Sequence, residues 1–291
     1  MKREISPSAS IDWCDLDLTA DLKARDIRLR DNITTATIDE LRLKEKSSLS
    51  AVLSASAKVG QGNITISSLH IQDKNSDIYA DTLTLDYNGL HSFSNFLQEV
   101  KLGGKISGPT VLDSKTLAYF VPSLAGKSFH ARLNGEIDGY LSNLSIPSLT
   151  FLETGSGISG SLSGSLKGLP DVKGISADVD INNLRFTCAS ISELIKGFAP
   201  DKKIDISKLA KDETFTFSGN GKGPLNSLAV KGYLSSSGSG SASVEGDIMN
   251  LADNSKPTNI EGKISTDRLD IGRIIGNDKI GKLSLDSSLG V

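Results

Sequence analysis

Leu49-Ser-Ala-Val-Leu-Ser-Ala-Ser-Ala-Lys-Val59 places Leu49, Ala51, Leu53, Ala55, Ala57 and Val59 at every second position. Successive side chains of an extended chain point to opposite faces, so this spacing sets an aliphatic face against one rich in serine. The same period appears upstream, where Leu16, Leu18, Ala20 and Leu22 alternate with Asp15, Asp17, Asp21 and Lys23. Downstream it returns in Leu83, Leu85 and Tyr87, in Phe129, Ala131, Leu133 and Ile137, and in Ile158, Leu162 and Leu166. Ile175, Ala177, Val179 and Ile181 repeat it, as do Phe215 with Phe217, Leu228 with Val230, Ile260 with Ile264, and Leu283 with Leu285. Turn clusters such as Gly60-Gln-Gly-Asn63, Asp73-Lys-Asn-Ser-Asp77 and Glu153-Thr-Gly-Ser-Gly157 separate the runs. The spacing predicts roughly fifteen to eighteen strands in a meandering antiparallel arrangement, each with one wettable face.

Some runs change phase midway. Ile64 and Ile66 are even, whereas Leu69 and Ile71 are odd; Leu144 and Ile146 give way to Leu149 and Phe151 across Pro147. A one-residue shift would swap the buried face, so a bulge or bend is expected at each place. Three segments abandon the alternation for helical spacing or helix boundaries, at 92–100, 114–121 and 190–199, and a weaker fourth lies at 267–276. Leu117, Leu194 and Ile271 occupy corresponding helical positions at equal intervals, and a Gly-punctuated strand follows each helix, as in Gly219-Asn-Gly-Lys-Gly223. This pattern predicts a degenerate repeat starting near 113, 190 and 267, with each unit resting on its neighbours.

Composition fits this picture and excludes several functions. Of 291 residues, 42 are Ser and 28 are Gly, both poor in helix interiors, while aromatics make up 5%. Aromatic burial cannot carry such a core, so the apolar area comes from small aliphatics. With 32 basic and 35 acidic residues the net charge is -3, which leaves no basic excess for nucleic acid. No apolar run follows the charged start Met1-Lys2-Arg3, and no window reaches the length of a membrane-spanning helix. Cys14 and Cys188 allow either one bridge or two reduced thiols.

The residues offer little chemistry. His70, His91 and His130 stand apart and lack zinc-ligand spacing. Asp178-Val-Asp-Ile-Asn182 has Asn183 where a calcium loop needs Gly and Ala189 where it needs Glu. Gly219 to Gly223 runs into Pro224 rather than a helix, so it is no phosphate loop. Asn32-Ile-Thr34, Asn63-Ile-Thr65 and Asn143-Leu-Ser145 match the glycosylation sequon, which chance supplies in a chain this rich in Ser and Thr. No nucleophile, His and carboxylate set can be assembled from the sequence. No enzyme activity, cofactor or metal is expected.

Leu43 to Leu53, Ser76 to Tyr87, the Phe93 to Val100 helix, Leu117-Ala-Tyr-Phe-Val-Pro122 and Gly135-Glu-Ile-Asp-Gly139 together resemble segments of TamB-like proteins of Bacteroidetes-type bacteria. These are translocation and assembly module components within the AsmA-like superfamily. The resemblance runs from about residue 11 to 291, leaving 1–10 as an N-terminal extension. It implies an elongated antiparallel β-sheet folded into a trough, the β-taco, with a few short helices. It further implies a protein spanning the periplasm, anchored in the inner membrane through a segment outside this sequence. Its expected role is to carry phospholipid toward the outer membrane and support outer-membrane assembly, with an assembly barrel as a further partner through a region also outside this sequence. In that reading Leu49, Leu53, Leu83, Leu85, Leu133, Ile137, Val179 and Phe217 line the groove and meet phospholipid acyl chains.

Alternation alone leaves open a sandwich whose apolar faces pack on each other. An extracellular β-solenoid adhesin or polysaccharide-binding module is the competing function, although no short coil repeat or aromatic ladder is visible. A trough requires a radius of gyration above the roughly 19 Å that compact scaling gives for this length. Small-angle scattering checks this, and a value at the compact limit favours the sandwich.

Overall fold

The computed structural model describes residues 17–46, 49–120, 124–171, 174–198, 205–211, 213–251, 256–257, 259–277 and 279–290. The expected extension at 1–10 and Cys14 lie outside them. The chain forms two compact units that divide after Pro147. The first contains β1 (Leu18–Arg30), β2 (Ile33–Glu45), β3 (Ser50–Val59), β4 (Asn63–Gln72), β5 (Asp77–Asp86), β6 (Lys101–Ile106), β7 (Val111–Asp113) and β8 (His130–Tyr140). Strand β9 (Asn143–Glu153) carries the division itself. The second unit contains β10 (Ser159–Lys167), β11 (Ser176–Phe186), β12 (Phe215–Pro224), β13 (Ser227–Ser236), β14 (Ser241–Met249), β15 (Asn259–Asp270) and β16 (Lys282–Gly290).

Hydrogen-bonded order follows chain order, except that β7 stands off the path and pairs with β5 and β8. The registered pairings within each unit are antiparallel. Among the described residues β1 pairs only with β2 and β16 only with β15, so the strands do not close into a barrel. The fold is mostly β, antiparallel and open, as the alternation predicts.

The phase changes have a local cause. Ser68 adopts a left-handed φ of 51°, and the β3–β4 register shifts opposite it between Ser54 and Ser56. That extra residue turns the aliphatic face from Ile64 and Ile66 to Leu69 and Ile71. Asn183 at φ 50° does the same in β11, where the register shifts between Ile181 and Leu184. In β9 burial passes from Leu144 and Ile146 to the odd positions Leu149 and Phe151 beyond Pro147.

The helices are short. A 3-10 turn at Leu90–Asn95 leads into α1 (Phe96–Glu99), and α2 (Ser114–Ala118), α3 (Cys188–Phe198) and α4 (Ile271–Ile275) follow. Four strands separate α2 from α3, and four separate α3 from α4. The last expected helix is shorter than its sequence pattern because β15 continues to Asp270, whose side chain then accepts the Arg273 amide and caps α4.

Thirteen apolar side chains are buried among the described residues, and five of them are alanines. The one buried cluster joins Ala55, Leu69 and Ala80, flanked by half-buried Leu53, Ile66, Ile71 and Leu83. Two packed sheets would bury the inward residues of both. Among the described residues most inward aliphatics, Leu83, Leu133 and Val179 included, are only half-buried, which favours an open face over the sandwich.

Glycines on the apolar face let the strands approach. A Cβ on Gly246 would strike the Glu261 carbonyl oxygen and come within 2.7 Å of the Gly262 Cα across the β14–β15 pair. Gly221 lies on the same face, but a Cβ there would meet only Val179 at 3.6 Å and Leu228 at 3.9 Å. Gly246→Ala is therefore expected to cost about 1–3 kcal/mol through forced backbone movement. Gly221→Ala, which fits and restricts the unfolded chain, is expected to be neutral or to stabilise by up to about 1 kcal/mol. Denaturant midpoints of the two variants test this difference; equal midpoints would refute it.

Candidate functional site

All eight residues expected to line an apolar groove are half-buried, none fully covered and none fully exposed. The register shows which of them meet. Ala57, Ile66, Leu83, Gly104 and Ile137 form one row across β3, β4, β5, β6 and β8. Leu83 and Ile137 reach toward each other over Gly104, where a Cβ would lie 3.6 Å from one and 3.1 Å from the other. Val59, Ile64, Leu85 and Leu102 make the neighbouring row. Leu133 lies on the Ile137 side of β8, four residues away, and its amide donates to the Thr110 carbonyl.

In the second unit Val179 sits between Gly164 and Gly221, so no side chain flanks it across either strand pair. Phe217 differs. It lies opposite Leu184 and Leu234, but its ring covers Gly219 and Gly232, the tip standing 2.7 Å and 2.5 Å from where their Cβ atoms would be. It fills a glycine gap rather than projecting freely.

Leu49 and Leu53 meet in a chamber of about 320 Å³ in the first unit. Leu18, Leu43, Ala51, Ile71, Ile78 and Phe120 complete its apolar wall, while Glu45, Asp73, Ser76 and Thr116 stand at its border. It lies where the start of β3 meets the end of β4 and the start of β5, beneath α2. A buried polar latch holds α2 there. Asp73 Oδ1 accepts the amides of Asn75 and Ser76 at 2.7 and 2.6 Å, and its Oδ2 accepts the Thr116 hydroxyl at 2.6 Å. The Ser76 hydroxyl donates to Thr116 Oγ1 at 2.7 Å and accepts the Asp113 amide at 2.9 Å. Ser76 and Thr116 are buried, so breaking one of these bonds strands a polar group away from water.

A second latch holds α4. Glu213 is buried, ion-pairs with Arg273 of α4, and accepts the Ser237 hydroxyl at 3.1 Å and the Gly238 amide at 2.7 Å. Burial pushes its pKa upward, but the hydrogen bonds from the Ser237 hydroxyl and the Gly238 amide help to outweigh it, and the carboxyl is held below its ordinary value. Gly238-Ser-Gly240 in the β13–β14 turn has a counterpart in Gly155-Ser-Gly157 of the β9–β10 turn. There the Glu153 carboxylate accepts the amides of Gly155 and Ser156. Neither carboxylate had a sequence signal, though the shared Gly-Ser-Gly turn could have drawn attention to both.

The outer face is ionic. Cross-strand pairs include Lys222 with Asp178 at 2.6 Å, Lys101 with Asp138 at 3.0 Å and Lys23 with Glu40 at 2.9 Å. His70 stacks on Tyr79 with ring centroids 4.2 Å apart, and both contact Asp77. Ser54 lies opposite His70 in register, bringing Ser, His and Asp residues close together as the sequence alone did not foresee. The arrangement lies on an open strand surface away from the chamber. His130 contacts Asp113. Cys188 is a free, half-buried thiol whose pKa burial raises. Among the described residues no group of three or more His, Cys, Asp or Glu could hold a metal, and no helix is long and apolar enough to cross a membrane.

No protein-family model matches this chain, and no curated protein or solved structure is significantly similar to it. The open antiparallel architecture with one aliphatic face is the level at which the structure agrees with an AsmA-like fold.

Glu213→Gln tests the α4 latch. Because the folded pKa is lowered, the carboxylate's contribution is present above the unfolded value near 4.5 and is lost as pH falls through the folded value. The stability difference between wild type and Glu213→Gln should therefore be constant near neutrality and shrink below about pH 4.5. Urea denaturation at a series of pH values measures it, and a difference that grows toward acid would contradict the assignment.

Proposed function

We propose that this chain is a lipid-handling segment of a TamB-like protein, a conduit and scaffold that carries phospholipid across the periplasm and supports assembly of the outer membrane. The observation that carries this reading is the aliphatic face of each unit, whose side chains are mostly half-buried rather than covered among the described residues. Such a face is a liability in water unless something apolar meets it. Each methylene moved from water onto it is worth about 0.8 kcal/mol, which makes an acyl chain a fitting guest. Few aromatics and several inward glycines leave room that bulkier side chains would fill. In this reading anchoring in the inner membrane and contact with an outer-membrane barrel belong to parts of the protein outside this sequence.

Photo-crosslinking in cells tests the conduit directly. A photoreactive residue at position 133, on the aliphatic side of β8, should capture lipid; one at position 136, on the exposed side, should not. Leu133→Asp is expected to block lipid passage, since an unpaired charge would face acyl chains. It should destabilise the fold less than a charge in a closed core would. If folded protein captures lipid at neither position, the conduit reading fails and a scaffolding role replaces it.

A further inference from the structure

We propose that the chamber beneath α2 is a binding site for the end of a single, uncharged aliphatic chain, entered past Phe120 and closed by the Asp73–Ser76–Thr116 latch. The proposal rests on the lipid-handling reading and sharpens it, since the open face has no defined end whereas this chamber does.

Three observations point to that occupant. The chamber's inner surface is almost wholly carbon, supplied by Leu43, Leu49, Leu53, Ile71 and Ile78 among others. Polar ligands would lose their hydration there and gain no partner. Its volume of about 320 Å³ falls in the small-ligand range and, at about 30 Å³ for each group the size of a water molecule, holds about ten groups in a row. That is one chain end, not a two-tailed lipid. The polar border then excludes anions. Asp73 has both oxygens engaged by Asn75, Ser76 and Thr116, and a phosphate brought to that border would meet its carboxylate and that of Glu45. The chain enters methyl end first, and any anionic head stays outside.

The border also supplies a means of entry. Phe120 is 42% exposed while lining the chamber, so its ring stands between the interior and water. It follows α2 directly, and α2 is held over the chamber by Thr116 and by the Asp113 side chain, which accepts the Lys115 amide. Loosening Thr116 would free α2 and Phe120 together and leave the wall supplied by the strands in place.

The test is a titration of the full chain, carrying labelled Leu and Ile methyl groups, with straight-chain alcohols from hexanol to tetradecanol. Saturable one-to-one shifts are expected at Leu49, Leu53, Ile71 and Ile78, while any shifts at Ile64 and Leu85 of the open face should be weak and fail to saturate. Affinity should rise with chain length and level off near ten carbons, where the chamber is full. Decyl phosphate should bind at least tenfold more weakly than decanol. Thr116→Val should speed decanol exchange severalfold with the same methyl groups shifted. Affinity that keeps rising with length, or chamber shifts that fail to saturate and track those of the open face, would overturn the chamber site. The outcome is separable from that of the conduit: lipid capture at position 133 without saturable decanol binding refutes the chamber alone. Decanol binding without lipid capture upholds the chamber and removes the conduit.

Discussion

Backbone pairing between neighbouring strands is the interaction on which this fold depends. Each strand holds its place through a ladder to the strands beside it, and among the described residues only thirteen apolar side chains are buried to share the load. A fully buried Leu or Ile contributes about 1.5–3 kcal/mol, and half-buried ones contribute less. The buried cluster around Ala55, Leu69 and Ala80 is small for the first unit. Anything that spoils a ladder, such as a Cβ on a glycine where two backbones nearly touch, therefore acts on the main source of order.

The ends of the strands are secured differently. Turns and helices are tied by buried carboxylates and hydroxyls: Asp73 with Ser76 and Thr116 in one unit, Glu213 with Ser237, Gly238 and Arg273 in the other. In both cases a hairpin turn is bound to a short helix that comes one strand later in the sheet. Very short helices are unstable alone, so these bonds rather than intrinsic propensity hold α2 and α4 in place. Polar side chains thus do at the strand ends what a closed core does in other folds, with directionality that greasy packing lacks.

The sequence disclosed whatever depends on near neighbours. Period-two alternation gave the strands, the phase change around Ser67 and Ser68 gave the bulge, and the Ser- and Pro-bounded segments gave the helices. Alternation states that one face is apolar but not what covers it, so trough and sandwich read alike until the burial of Leu83, Leu133 and Val179 was known. The latches were invisible for another reason. Thr116 meets Asp73 and Arg273 meets Glu213 across long stretches of chain, and Ser, Thr and Asp at those places look like ordinary turn residues. The row of Ser54, His70 and Tyr79 likewise needed the register, which a bulge displaces by one residue. Phe217 follows the alternation, but its ring turns onto Gly219 of its own strand and Gly232 across the β12–β13 pair, where no side chains stand in its way.

A face left half open must coexist with solubility, and the distribution of charge shows how. The outer surfaces carry cross-strand ion pairs such as Lys222 with Asp178 and Lys231 with Glu245, which water and salt screen at these exposed positions. Their value lies less in stability than in keeping that face wet, opposite the aliphatic one. Strand β1 combines exposed Leu22, Ile27 and Leu29 with Lys23, Arg25, Arg28 and Arg30. Among the described residues β1 pairs on one side only, and charges so placed oppose indiscriminate strand addition there. Lys23 and Arg25 are paired with Glu40 and Asp39 on β2, so they are held along the sheet. Apolar area is therefore retained on one face, where small aliphatics and glycines keep it shallow and chain-shaped, and is opposed by charge elsewhere. Under the proposed lipid-handling role, that division would favour a flexible hydrocarbon guest, because a guest without backbone polar groups can lie against aliphatic side chains without leaving hydrogen bonds unmade.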